Sequence, residues 1–381
     1  MPVSRSQGPL PSIERLVLTD FRTYAALDLK IEGAVIVLTG ENGAGKTNLI
    51  EAISLLTPGR GLRRAELAEF ARRGGHGTFA VSAEVATKEG SVQLGTGTEA
   101  QPDGLQRRYR LNREPVGSIR AFADHVRVVW LTPAMDGLFA GPAGERRRFL
   151  DRLVLAVDSE HGSRVNGLER ALRNRNRLLE EGGRQDRWLD AAEHEVAELG
   201  VAVAAARTQT IAHLASVIAA TKAGPFPFAE LQLKGDIEAL VAGRPALEVE
   251  EIYRRVLRDN RTRDAAAGRT LIGPHAADLL VRHGPKQADA AQSSSGEQKA
   301  LLVGLVLAHA RLVADLSAIA PFILLDEIAA HLDAARRAAL YERLVALGAQ
   351  VFLTGGDRAA FSPLEGHATI LKVVPGDVLT A

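Results

Sequence analysis

With 381 residues, 46% of them hydrophobic and 24% charged, the chain can bury a substantial core and has room for two or three domains, which excludes a solvated, disordered polymer. A formal net charge of +1 does not by itself draw the molecule to polyanions, so any nucleic-acid surface has to come from local clustering of basic residues. The absence of cysteine excludes disulfides and thiolate metal sites, and any metal must be held by oxygen or histidine.

No run of eighteen apolar residues occurs, and the first residues (MPVSRSQGPLPS) lack the apolar core of a signal peptide. Cytosolic residence without a membrane partner is the expectation. Only eight of the 47 basic residues are lysine, an arginine bias that reflects base composition more readily than function. Ile13-Glu-Arg-Leu-Val-Leu and Leu27-Asp-Leu-Lys-Ile alternate as half-buried strands do, and predict a small antiparallel layer. Ala34-Val-Ile-Val-Leu-Thr is continuously apolar, as a strand covered on both faces must be. It runs into Gly40-Glu-Asn-Gly-Ala-Gly-Lys-Thr, and Asn48-Leu-Ile-Glu-Ala-Ile-Ser-Leu-Leu follows with the spacing of an amphipathic helix.

Between about Thr78 and Val129, short alternating runs separated by Gly, Pro and Asp continue the β-rich part. From Gly144 to about Ile218 proline disappears and helical spacing takes over (Phe149, Leu150, Leu153, Val154, later Val196, Leu199, Val203), predicting two helices joined near Gly182-Gly183 as a hairpin. After a break at Ala223-Gly-Pro-Phe-Pro-Phe, α/β character returns. Ser293 to Leu312 reads as a loop and an apolar helix, Pro321-Phe-Ile-Leu-Leu-Asp-Glu as a buried strand ending in two acids. Ala334 to Leu347 reads as a helix and Gln350-Val-Phe-Leu-Thr as a further buried strand.

Gly40, Gly45, Lys46 and Thr47 complete a P-loop in the order strand, glycine loop, helix that phosphate binding requires. Glycine backbones let consecutive N–H groups turn towards phosphates, and the helix adds its positive end. The loop residues Gly40, Glu41, Asn42, Gly43, Ala44 and Gly45, with Lys46, Thr47 and Asn48, are the candidate ATP contacts. Lys46 is expected to reach the β- and γ-phosphates, and Thr47 to ligate Mg²⁺. Asp326 at the end of a buried strand is the expected second Mg²⁺ holder, and Glu327 the group that orients and deprotonates the attacking water. Paired acids cap many strands; here they follow a complete P-loop.

Ser293-Ser-Ser-Gly-Glu-Gln-Lys, about thirty residues before that strand, resembles the ABC signature, in which a serine and a glycine (here Ser294 and Gly296) bind the γ-phosphate held by a second subunit. A serine-rich N-cap alone would be the bland alternative. Leu332-Asp333 looks like the D-loop. Together these elements resemble the ABC-type ATPase heads of chromosome-structural and DNA-repair proteins. Asp20-Phe-Arg-Thr-Tyr, Pro58-Gly-Arg-Gly-Leu-Arg, Leu131-Thr-Pro, Arg146-Arg-Arg-Phe-Leu-Asp, Leu172-Arg-Asn-Arg-Asn-Arg-Leu-Leu and Gly273-Pro-His-Ala-Ala-Asp-Leu, in that order, narrow the resemblance to the RecF family.

The resemblance implies an α/β fold: an ABC-type P-loop head built from residues 1–130 and 270–381, with residues 131–269 as a mainly helical insert. It implies an ATP-dependent homodimer that binds gapped, single-stranded or double-stranded DNA without reading sequence. It also implies work with a RecR-like mediator to load RecA recombinase, with slow hydrolysis driving release. It nominates Arg22 and Asp333 as further nucleotide contacts and Arg60 and Arg63 as DNA contacts. Arg170, Arg173 and Arg177 share one helix face and are further DNA candidates, with a solvated face balanced by Glu169, Glu180 and Glu181 as the alternative; Arg146, Arg147 and Arg148 add a cluster. Aromatics are only 4% and do not interleave with these arginines, so phosphate contact is expected rather than base stacking.

The sequence departs from the wider superfamily at several points. Ser295 stands where glycine is usual and the leading leucine of the signature is absent. No Q-loop glutamine is evident near Leu131-Thr132-Pro133, and the last buried strand ends in Thr354-Gly-Gly-Asp instead of a switch histidine. An SMC-type protein would share the head but needs hundreds of heptad residues between its halves, about ten times this insert. An ABC transport ATPase would bring the glutamine and histidine that are missing here.

Overall fold

In a computed structural model of the chain, residues 11–181, 186–221, 224–328 and 332–380 are described. They form two compact units: the described residues up to 136, 224–226 and those from 295 onward make one, and the described residues of 137–221 and 227–294 the other. The expected join at Gly182-Gly183 lies outside the described residues.

In the first unit β1 (Ser12–Phe21), β2 (Tyr24–Lys30) and β3 (Val35–Thr39) lead into α1 (Lys46–Ser54) and a short α2 (Leu67–Phe70). Strands β4 (Ala80–Thr87), β5 (Gly90–Gln101), β6 (Gly104–Leu111) and β7 (Glu114–Val116) follow, and then β8 (Val128–Leu131). β2-β1-β4-β5-β6-β7 is an antiparallel sheet with one buried face, which is why its sequence alternates.

The second unit holds α3 (Ala143–Val157), α4 (His161–Glu180) and the 35-residue α5 (Asp186–Ala220). After them come β9 (Ala229–Lys234), α6 (Asp236–Val241), α7 (Ala246–Asp259), α8 (Arg261–Ala267), β10 (Asp278–His283) and the two-residue β11 (Ala288–Asp289). Residues 270–294, read from the sequence as part of the head, fall in this unit, because β10 pairs antiparallel with β9 over six residues. A small sheet thus accompanies the helices of the insert.

The chain closes the first unit with α9 (Ser295–Ser317), β12 (Phe322–Leu325), α10 (Ala334–Ala346), β13 (Val351–Gly355), β14 (Thr369–Val374) and β15 (Asp377–Thr380). α9 is apolar on most faces because thirteen of its residues are buried in the unit. The order β15-β14-β3-β13-β12-β8 puts two N-terminal strands, β3 and β8, among C-terminal ones; all neighbours are parallel except β14 and β15. β3, β8, β12 and β13 are buried along their whole length, matching their unbroken apolar sequences. One core joins both sheets and α1 through Ile13, Leu16, Leu38, Ile50, Ile53, Phe122, Leu324 and Phe352. In a sheet wound this way, ligands belong at the carboxyl ends of the strands.

Candidate active site

The loop after β3 takes its shape from three glycines in the left-handed region: Gly40 (φ 146), Gly43 (φ 84) and Gly45 (φ 115). Two also need the missing side chain. A Cβ at Gly40 would lie 2.3 Å from the Val373 carbonyl oxygen, and one at Gly45 would lie 2.7 Å from the Tyr24 hydroxyl. That hydroxyl donates to the Gly45 carbonyl, fixing the start of α1 from the antiparallel sheet, and burial pushes the Tyr24 phenol up from its ordinary pKa. Glu41, Asn42 and Gly43 are exposed at the crest of the loop, whereas Ala44, Gly45 and Lys46 are buried. The Lys46 ammonium donates to the carbonyls of Gly40 and Glu41, both at 2.8 Å, and so stands inside the loop.

Thr47 and Asp326 meet directly, with the Thr47 hydroxyl donating to Asp326 Oδ1 at 2.9 Å. The same oxygen accepts the Thr354 hydroxyl at 2.8 Å, and the Glu327 amide donates to Thr354 Oγ at 2.9 Å. Glu327 is half-buried and holds φ 54, a left-handed conformation unusual for a residue with a side chain. Among the described residues no group of three carboxylates or imidazoles gathers to hold a metal. A hydroxyl and one carboxylate beside a phosphate-shaped loop is a donor set that suits Mg²⁺, which keeps several waters and takes its other ligands from phosphates. The cradle that a Cβ would fill and this oxygen pair both fit Mg²⁺-nucleotide.

Asn48, next on α1, donates to Thr23 Oγ at 3.0 Å and accepts from Arg63 at 2.8 Å. Glu51, one turn on, is fully buried; Arg22 reaches it with two parallel bonds at 2.8 and 2.9 Å, and Arg63 adds a third at 3.1 Å. Arg22 also donates to the Glu69 carbonyl and covers the Phe70 ring, so its guanidinium braces α1 against the turn after β1. Arg60 pairs on the surface with Glu66. Asp20, two residues before Arg22, sits between His76 and Arg72; hydrogen bonds from these two, His76 first, draw its carboxyl down to about 2.

Ser294, Ser295 and Gly296 are exposed at the amino end of α9, and a Cβ at Gly296 would touch nothing. Asp333 is the N-cap of α10, its carboxylate accepting the Arg336 amide at 2.8 Å. The D-loop reading therefore coincides with a capping role. Lys299, on the second turn of α9, pairs at 2.8 Å with Asp136, beyond the Leu131-Thr132-Pro133 stretch.

In the second unit Arg170, Arg173 and Arg177 are exposed on α4, Arg173 and Arg177 lying 3.9 Å from Glu169 and Glu181. Two of the three arginines at 146–148 are spent within the unit, while Arg148 is half exposed. Arg146 grips Asp278 with two bonds, Arg147 donates to the Ala277 carbonyl, and Arg148 faces Glu145. Arg175 is the residue that counting arginines misses. It is fully buried and donates to Glu193, Asp264, Thr270 and the Leu257 carbonyl. Its spacing from Leu168, Ala171, Leu172 and Leu179 places it on the apolar face of α4, which was the available signal.

Residues 12–374 match the sequence model of the RecF/RecN/SMC N-terminal domain. The chain is 55% identical to the DNA replication and repair protein RecF of Mesorhizobium japonicum, covering 96% of this chain and 97% of that one. It is 53% identical to that of Rhizobium meliloti, over 96% and 98%. Its fold superposes on a solved recombination mediator RecF in an ATP form with a TM-score of 0.85 at 21% identity, over 99% of each chain. The SMC head of Pyrococcus furiosus gives 0.53 at 16% identity, over 98% and 96%. The fold is thus the α/β ABC-type ATPase head, and the chain belongs to the RecF family.

Proposed function

We propose that this chain binds ATP with Mg²⁺ on Gly40 to Asn48, hydrolyses it slowly, and uses the cycle to close on and release DNA during recombinational repair and replication restart. The observation that carries the reading is the meeting of Thr47, Asp326 and Thr354 at one carboxylate oxygen, beside a loop that only glycines can form. Relatives more than half identical over nearly their full length are DNA replication and repair proteins, and the solved neighbour is a recombination mediator of the RecFOR pathway.

Each residue has a defined task. Lys46 brings a positive charge to the phosphates and gives up its loop carbonyls to do so; the amides of the loop and of the first turn of α1 hold the remaining oxygens. Thr47 and Asp326 hold Mg²⁺, which when bound offsets the charge that builds on the phosphate oxygens. Glu327 orients a water and accepts its proton. Ser294 and Gly296 serve the nucleotide of a second subunit, with Asp333 near the same interface, so the homodimer forms with ATP and parts after hydrolysis. Arg60, Arg63, Arg170, Arg173 and Arg177 are the DNA contacts of this reading, made to phosphates and not to bases. A RecR-like mediator and RecA recombinase are the partners that the family resemblance supplies, in a cytoplasmic, nucleoid-associated setting.

The test compares wild type, Lys46→Ala and Glu327→Gln by nucleotide titration, turnover and light scattering, with gapped DNA and with lipid vesicles. Lys46→Ala should lose ATP affinity with its fold intact. Glu327→Gln should bind ATP, stop turning over, and accumulate as a dimer whose formation DNA promotes and vesicles do not. Unchanged affinity in the first variant, or normal turnover in the second, removes the reading.

A further inference from the structure

The strand order gives Thr354 a position that no neighbouring residue shares. β13 lies between β3, which runs into the glycine loop, and β12, which runs into Asp326-Glu327. In register Thr354 faces Leu38 on β3, while Leu353 faces Leu325 on β12, so the Thr354 side chain arrives beside the first residue past β12. The rest of the strand is apolar and Thr354 is 1% exposed. Valine would serve packing and strand propensity equally well, and burying a hydroxyl is unfavourable unless it is bonded.

A hydroxyl has one proton to give and lone pairs to accept with. Thr354 gives its proton to Asp326 Oδ1 at 2.8 Å and accepts the Glu327 amide at 2.9 Å. One oxygen therefore fixes two successive residues just past the end of a different strand, 28 and 27 positions away. Glu327 in addition holds a left-handed backbone, which persists in a residue with a side chain only where its surroundings enforce it. The bond from its amide to Thr354 is such a constraint.

We propose that Thr354 is the positioning residue of the Asp326-Glu327 pair: its hydroxyl anchors the metal-side carboxylate and locks the Glu327 backbone in the conformation from which that side chain acts as base. The proposal rests on the ATPase reading above. It gives the carboxyl end of β13 a task that needs no contact with nucleotide.

Three variants test it. Thr354→Val removes the hydroxyl at nearly constant volume, Thr354→Cys replaces it with a weak hydrogen-bonding group, and Thr354→Ser restores it. In nucleotide-free protein the Glu327 amide should exchange with solvent about tenfold faster in the valine and cysteine variants than in the serine variant or wild type. ATP affinity should stay within about threefold in all of them, while kcat falls about 100-fold in the valine and cysteine variants and recovers with serine, the loss expected of a displaced catalytic group. Combined with Glu327→Gln, Thr354→Val should cost no further turnover. Unchanged Glu327 exchange, normal kcat without the hydroxyl, or an equal loss with serine overturns the proposal. Wild type that neither binds nor hydrolyses ATP would instead overturn the ATPase reading, while the exchange measurement still decides whether the hydroxyl fixes Glu327. If the valine variant does not fold, the cysteine and serine pair carries the same comparison.

Discussion

The Thr47 hydroxyl donates to Asp326 Oδ1 at 2.9 Å across 279 positions of the chain, so the first turn of α1 and the end of β12 are joined before any ligand is considered. Thr47→Val removes that donor and, if the proposed site is right, one Mg²⁺ ligand with it. Loss of the single hydrogen bond should cost about 1 kcal/mol of stability. The larger effect should be on metal dependence: calorimetric ATP titrations in magnesium and in EDTA should differ far less in the variant than in wild type. A variant whose ATP affinity still rises with magnesium as wild type's does would take Thr47 out of the metal site.

Arg175 supports a different prediction, on stability. Its guanidinium neutralises Glu193 and Asp264, which are themselves buried, and Arg261 shares Glu193. Arg175→Met fills most of the volume but strands Asp264 without its cation. Removing one partner of a buried pair costs about 3–5 kcal/mol. Urea unfolding should report a loss of that size. A loss below about 1 kcal/mol would mean that solvent or Arg261 reaches the stranded carboxylates, within the range of an ordinary surface change.

Much of the head was legible because its signals are local. An apolar run that ends in glycines, or in two acids, states both the strand and where it stops, and β3 and β12 do so. The partners of buried charges were not legible. Glu51 reads in sequence as the polar side of an amphipathic helix, yet it is fully buried because Arg22 and Arg63, from two distant turns, neutralise it. The run Arg146-Arg147-Arg148 reads as one basic cluster but divides among Asp278, the Ala277 carbonyl and Glu145. The pairing of β9 with β10 could not be read either, since alternation marks a strand without naming its neighbour.

Asp20 gives the acid limb of stability a specific origin. Bonds from His76 and Arg72 hold its folded pKa at about 2, below the ordinary carboxylate value. A carboxyl with a depressed folded pKa contributes stability above its unfolded pKa and loses it as pH falls towards the folded one. The stability gap between wild type and Asp20→Asn should therefore be open at pH 7, begin to narrow near pH 4 and close towards pH 2. A gap that does not change over that interval would show that the carboxylate charge is not what holds Arg72 and His76.

Arg173 and Arg177 are about two-thirds exposed and only loosely paired, so their charge is available to a polyanion. Reversing both to Glu should weaken DNA binding about equally for unrelated sequences. It should also reduce the slope of log affinity against log salt by about 2, since each lost phosphate contact on duplex DNA removes about 0.9. Fluorescence anisotropy over a salt series measures both. An unaltered slope would return this face of α4 to solvent, balanced by Glu169 and Glu181.

Ser294→Arg tests the proposed dimer most directly. Ser294 is exposed immediately before α9, so the substitution adds bulk and charge at the surface without opening the core. The nucleotide loop of the same chain keeps Lys46, Thr47 and Asp326 untouched, and nucleotide affinity should stay within about threefold, less than 1 kcal/mol. If the exposed amino end of α9 meets the γ-phosphate of a second subunit, an arginine at 294 blocks the fit and brings like charge towards that subunit's Lys46 and Mg²⁺. A symmetric pair shares two such sites, so one substitution damages both. Light scattering should show wild type passing from monomer to dimer with ATP and magnesium while the variant remains monomeric. A variant that still dimerises with ATP would mean that the amino end of α9 does not meet the nucleotide of a second subunit, and the contact proposed for Ser294 would have to be abandoned.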